Sequence, residues 1–98
     1  MKSISEWCKE IHQNAIDHGW WEEPREAPEL LCLLHSEVSE ALEAYRMSDS
    51  DGFKEELADV AIRLFDMCCY YGIDLEKEIA DKHKKNIDRP YRHGNKRC

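Results

Sequence analysis

Where this chain can turn decides what it can fold into. Gly19, Gly52, Gly72 and Gly94, with Pro24, Pro28 and Pro90, cut its 98 residues into segments of helix length and nowhere mark hairpins between alternating strands. Within each segment apolar residues return every three or four positions. Ile4, Trp7, Cys8, Ile11 and Ala15 stripe a first helix from about Ser3 to His18, with Ser3 and Glu6 at capping-box spacing and Gly19 as the stop. Pro28 opens a second that runs to about Met47, with Leu30, Leu34, Val38, Ala41, Leu42 and Tyr45 as its expected core stripe. The third, about Gly52 to Tyr71, has Phe53, Leu57, Val60, Leu64, Cys68 and Tyr71 on one side and Ile62, Phe65 and Cys69 on another. Asp74 caps a fourth that reaches about Asp88 and carries Leu75, Ile79, His83 and Ile87. The expectation is a single all-α domain over residues 1–98, a four-helix bundle with a basic tail at 89–98. A helix that is apolar on two sides is either central or shared between subunits, and a small domain gains from sharing it. Ile62, Phe65 and Cys69 therefore predict an oligomer, a homodimer or homotetramer.

The formal charge of −7 is unevenly spread: residues from Lys82 onward carry a net +6, and those before it −13. An acidic body disfavours duplex nucleic acid, which is bound by neutralising phosphates, and suits a collector of divalent cations. Five cysteines, an odd number with no secretory-type segment ahead of them, fit a reducing, cytoplasmic setting. No run of apolar residues approaches membrane-span length, so no membrane association is expected.

The chemistry concentrates in two acidic pairs. Glu37-x-x-Glu40 and Glu56-x-x-Asp59 each place two carboxylates on one side of a helix, beside Leu33, Leu34, Val38, Leu57 and Val60. If helices two and three pack antiparallel, four carboxylates converge, and such a cluster persists only when cations or protons neutralise it. An all-oxygen set suits Mg2+, or Mn2+, better than zinc or iron. The Glu-x-x-His repeats of di-iron bundles are absent. Asp66 either extends the cluster or pairs with Arg63.

The stretch Leu33-Leu-His-Ser-Glu-Val-Ser-Glu-Ala-Leu-Glu43, a spacer of fifteen residues from Glu40 to Glu56, and then Glu56-Leu-Ala-Asp-Val-Ala-Ile-Arg63 resembles the MazG-like all-α nucleoside triphosphate pyrophosphohydrolases. The run Lys82-x-x-x-Asn86-x-x-Arg89-Pro-Tyr-x-His93-Gly94-x-Lys96 resembles the C-terminal pattern of small members, so the likeness covers roughly residues 28 to 96. It implies a helical bundle, a dimer or dimer of dimers, that holds magnesium at the α-β phosphate linkage and yields a nucleoside monophosphate and pyrophosphate. Glu37, Glu40, Glu56 and Asp59 would hold the ions, and a glutamate of the first pair would position or deprotonate the attacking water.

Around that core other residues are candidates for binding substrate. Lys82, Asn86 and Arg89 share one face of helix four, either gripping phosphate, ribose or base or forming a solvated basic helix end. Lys54 is a weaker phosphate candidate, and His93 and Lys96 lie on the tail. Trp20 and Trp21 either stack a nucleobase or seal the bundle end. Two alternatives stand beside hydrolysis of (d)NTPs for nucleotide-pool sanitation or control. One is a catalytically silent helical module that binds nucleotides or a protein. The other is a zinc-stabilised module built on Cys8-x-x-x-His12 and Cys32-x-x-His35.

Overall fold

The computed structural model describes residues 1–91. Among them lie four helices and no strand: α1 (Ile4–Asp17), α2 (Ala27–Arg46), α3 (Ser50–Tyr70) and α4 (Leu75–Ile87). Three of them begin at a side-chain cap, whereas α2 begins with Pro28 in its first turn and no side-chain cap bond. Ser3 accepts from the Glu6 amide and Glu6 returns the bond to the Ser3 amide, closing a capping box on α1. Asp74 caps α4 through the Lys77 amide. At α3 the cap is Asp49, bonded to the Gly52 amide, so the helix starts two residues before the expected Gly52. A Cβ at position 52 would meet the capping carboxylate of Asp49, which would have to shift. Gly19 (φ 82°) and Gly72 (φ 68°) end α1 and α3 in the left-handed region that glycine enters without penalty.

Helix α3 is the centre, packed against α2 on one side and α1 on the other, while α4 packs on α1. The Glu76 carboxylate of α4 accepts from the Ile4 and Ser5 amides and so covers the N-terminus of α1, where helix donors are unsatisfied. Ile62 shares a cavity wall with Trp7 and Ile11 of α1 yet is 44% exposed, and Cys69 shares one with Cys8. The second face of α3 thus borders α1 of the same chain and is only partly covered by it.

The stripe on α2 is also rotated from the expected one. Leu30, Glu37 and Ala41 are its buried residues, whereas Val38, Leu42 and Tyr45 are half or more exposed and join Leu31 in an outward apolar row. The edge of α2 that carries Leu30, Glu37 and Ala41, not its most apolar edge, is the buried one, and Glu37 there is paired with Arg63 of α3. Apolar residues cover more of α2 than one neighbour can bury. Among the described residues no large side chain is fully buried. The radius of gyration, 15.9 Å, exceeds the about 13 Å expected of a compact domain near 100 residues.

Candidate metal and nucleotide site

Four polar residues on α3 follow one another at near-heptad spacing, Glu56, Asp59, Arg63 and Asp66, and so lie along one edge of the helix. That edge runs beside α2 and the α1–α2 loop. At its N-terminal end Glu56 and Asp59 meet Glu37, with one carboxylate oxygen from each lying within 4.8 Å of the others. Glu40, one turn on from Glu37, is within hydrogen-bonding reach of the Glu56 carboxyl. All four carboxylates of the two acidic pairs therefore converge as their spacing predicts.

The price of that convergence falls on Glu56. Its Oε2 is buried without a hydrogen-bond partner. Desolvation first, then the hydrogen bond and charge of Glu40, then the charges of Asp59 and Glu37, push its carboxyl up to about 7. An orphaned buried oxygen among three further carboxylates is what a cation-binding site leaves when only a proton neutralises it. The donors are oxygen alone, which fits a hard divalent ion such as magnesium or manganese. Among the described residues no cysteine or histidine joins a metal-ligand group, so the zinc alternative finds no site. Cys8 and Cys68 are buried and their thiols are raised by desolvation, as suits inert core residues.

Further along the edge the pairing differs from either option considered for Asp66. Arg63 Nε donates to Glu37 Oε1 at 3.2 Å across the helix interface, leaving Asp66 outside the cluster and without Arg63. Asp66 is bonded instead to His12 Nδ1 at 2.6 Å and Trp21 Nε1 at 3.0 Å. The helical register of Glu56, Asp59 and Arg63 could have singled out the arginine. Nothing local announced His12, because its partner lies 54 residues away on another helix.

The loop tryptophans occupy different surroundings. Trp21 stacks on Tyr70 with centroids 4.0 Å apart and planes at 8°, sealing α1 against α3. The guanidinium groups of Arg25, at 3.7 Å from the ring centroid, and Arg63, at 4.7 Å, both lie over the Trp20 ring. Arg25 also donates to the Trp20 carbonyl and to Glu29, which fixes the loop. Trp20, Ile62, Arg63 and Asp66 line a cavity of about 350 Å³ together with Glu37 and Asp59.

The basic candidates lie apart from this cavity. Lys82 and Asn86 border a shallow groove on α4 with Ile79 and His83, and no hydrogen bond or ion pair links either to the carboxylates among the described residues. Arg89 follows the end of α4. Lys54 is exposed on α3, two residues from Glu56 and hence off its face. Lys96 and His93 lie outside the described residues. No helix among the described residues is long and apolar enough to cross a membrane.

Comparison with known proteins agrees with the two acidic motifs. The family model described as the MazG nucleotide pyrophosphohydrolase domain matches residues 25–93. No curated protein and no solved structure matches the chain.

Proposed function

The chain belongs to the MazG nucleotide pyrophosphohydrolase family, and from that premise we propose that it is a magnesium-dependent hydrolase that cleaves nucleoside or deoxynucleoside triphosphates to the monophosphate and pyrophosphate. The observation that carries this reading is the clustering of Glu37, Glu56 and Asp59 oxygens within 4.8 Å around a buried, unpartnered Glu56 Oε2. A triphosphate is repelled by such a cluster unless cations stand between them. Bound magnesium would supply that neutralisation, polarise the phosphoryl oxygens and lower the pKa of water.

The chain's own residues have separable tasks. Glu37, Glu56 and Asp59 would hold the ion, and Arg63 would steady Glu37 from the side away from it. Glu40, at the exposed edge and already able to share a proton with Glu56, is the residue proposed to receive the proton of the attacking water. The water oxygen bonds to phosphorus as the bridging P–O bond breaks, and the bridging oxygen leaves with the pyrophosphate. Lys82, Asn86, Arg89, Lys54 and Lys96 remain proposed contacts to the anionic substrate, and Trp20 is the better placed of the two tryptophans to meet it. Pool sanitation or control is the role proposed for this reaction.

Incubation with magnesium and a panel of ribo- and deoxynucleoside triphosphates, with products separated by anion exchange, tests the reading. Monophosphate and pyrophosphate are expected. Diphosphate and phosphate, or no turnover with magnesium or manganese, would overturn it.

A homodimer or homotetramer is part of the same proposal, supported beyond the exposed Ile62 by a further surface. Leu31, Val38, Leu42 and Tyr45 form an exposed row on α2, and α4 carries exposed Ile79 and Ile87 above a net basic end. A second copy would cover these faces and bring a basic end against an acidic body. Light scattering at micromolar concentration is expected to give a multiple of 11.6 kDa. Val38→Glu with Leu42→Glu should shift that mass to the monomer. A monomeric wild-type mass would remove the proposal.

A further inference from the structure

The cavity beside the carboxylates has a second polar wall, which hydrolysis as described leaves unused. Asp66 forms it and is buried, with 8% of its surface exposed. Both of its neighbours bond to the same atom: His12 Nδ1 reaches Oδ1 at 2.6 Å and Trp21 Nε1 reaches it at 3.0 Å. An indole nitrogen only donates, so Oδ1 is held as an acceptor. Trp21 is itself fixed by its stack on Tyr70, and His12 packs edge-on against both rings. The carboxylate plane cannot turn without breaking both bonds.

That leaves Oδ2 in a set position, with no hydrogen-bond partner among the described residues. Asp66 shares the cavity with Asp59 and Glu37, and its volume of about 350 Å³ falls within the range usual for small-molecule sites. Asp59 and Asp66 are two helical turns apart on α3, about 10 Å along the axis. A nucleotide bridges such a span from its phosphate to the pairing edge of its base. Ile62 offers an apolar wall beside Trp20, whose ring carries the Arg25 and Arg63 guanidiniums.

From this arrangement, and resting on the nucleotide-binding part of the function proposed above, we infer that Asp66 selects the base, favouring cytosine and adenine, which present an exocyclic amino group, over uracil and thymine. A carboxylate oxygen accepts and does not donate. Cytosine N4 and adenine N6 offer the N–H that Oδ2 lacks. Uracil and thymine place a carbonyl oxygen there, so two acceptors would face each other in a partly desolvated site. Base choice then follows from the fixed acceptor and not from stacking, which discriminates poorly.

The test compares dCTP with dUTP, by kcat/KM with magnesium and by calorimetric binding of their α,β-imido analogues. Wild type is expected to favour the cytosine nucleotide about tenfold or more. In Asp66→Asn the His12 and Trp21 donors keep the amide oxygen at the Oδ1 position, which puts the NH2 group where Oδ2 was. The preference should invert toward dUTP, whereas a purely structural role for Asp66 would lower both nucleotides alike. Equal kcat/KM in wild type overturns the inference on its own, even if the variant does not fold. Turnover without preference leaves hydrolysis standing and removes base selection. Analogue binding with a cytosine preference but no turnover does the reverse, and neither binding nor turnover removes both.

Discussion

Asp59→Asn is expected to lower magnesium-dependent turnover of nucleoside triphosphates by roughly 1,000-fold while leaving the helical circular dichroism unchanged. The substitution keeps size and outline, replaces one acceptor oxygen with an NH2 donor and removes a charge from a three-carboxylate group whose oxygens lie within 4.8 Å. Asp59 separates function from folding better than its neighbours do. Glu37 also holds Arg63, so neutralising it would strand a half-buried guanidinium as well as a metal ligand. Glu40→Gln should be nearly as damaging through loss of the proton acceptor, but with metal-dependent stabilisation largely kept. A variant at position 59 that retained a tenth of wild-type kcat/KM would place the metal elsewhere. Calorimetric titration of magnesium supplies the second readout, since lost turnover with unchanged metal binding would move Asp59 from ligand to another role.

Much of this arrangement is legible in the residues because it is local. Helix count, caps and the two acidic pairs follow from spacings of three and four, and Ser3, Asp74 and Gly19 act where their chemistry says they should. What is not legible is rotational setting. The sequence of α2 offers two apolar edges, and which of them is the inner one depends on what α3 sets against it, Arg63 opposite Glu37 among it. The second face of α3, with Ile62, Phe65 and Cys69, has the same ambiguity: an apolar face says that something covers it, not what, and here α1 borders it while Ile62 stays 44% exposed. The Asp66 network joins three segments and depends on tertiary packing throughout, so no window of sequence contains it. By contrast Glu56, Asp59, Arg63 and Asp66 are in one register on one helix, and that polar line, continued through the otherwise apolar stretch from Leu57 to Tyr70, is the strongest pointer to the site that the sequence holds.

The second large effect concerns stability. Without divalent metal the fold should weaken as pH rises from about 4.5 to about 7, the ordinary and folded values for Glu56. The sign follows from linkage. A carboxyl whose folded pKa is raised binds its proton more tightly in the native state, so its contribution is fully present below the unfolded value and is lost as pH rises through the folded one. Above that range the native cluster must carry another negative charge beside Glu40, Asp59 and Glu37. Magnesium replaces the proton there, and at about a hundred times its dissociation constant should raise Tm by roughly 10 °C or more. Below about 4.5, where the proton already occupies Glu56, the same magnesium should raise it far less. Glu56→Gln separates the two contributions. Its uncharged amide imitates the protonated carboxyl, so the metal-free variant should be more stable than wild type above about 7 and similar to it below about 4.5, while gaining little from magnesium at either pH. Melting curves with and without chelator at both ends of the range measure all four quantities. A metal-free wild type whose Tm rises steadily across that interval, or a Glu56→Gln protein that gains as much from magnesium as wild type does, would mean that the buried oxygen of Glu56 is not where the cation binds.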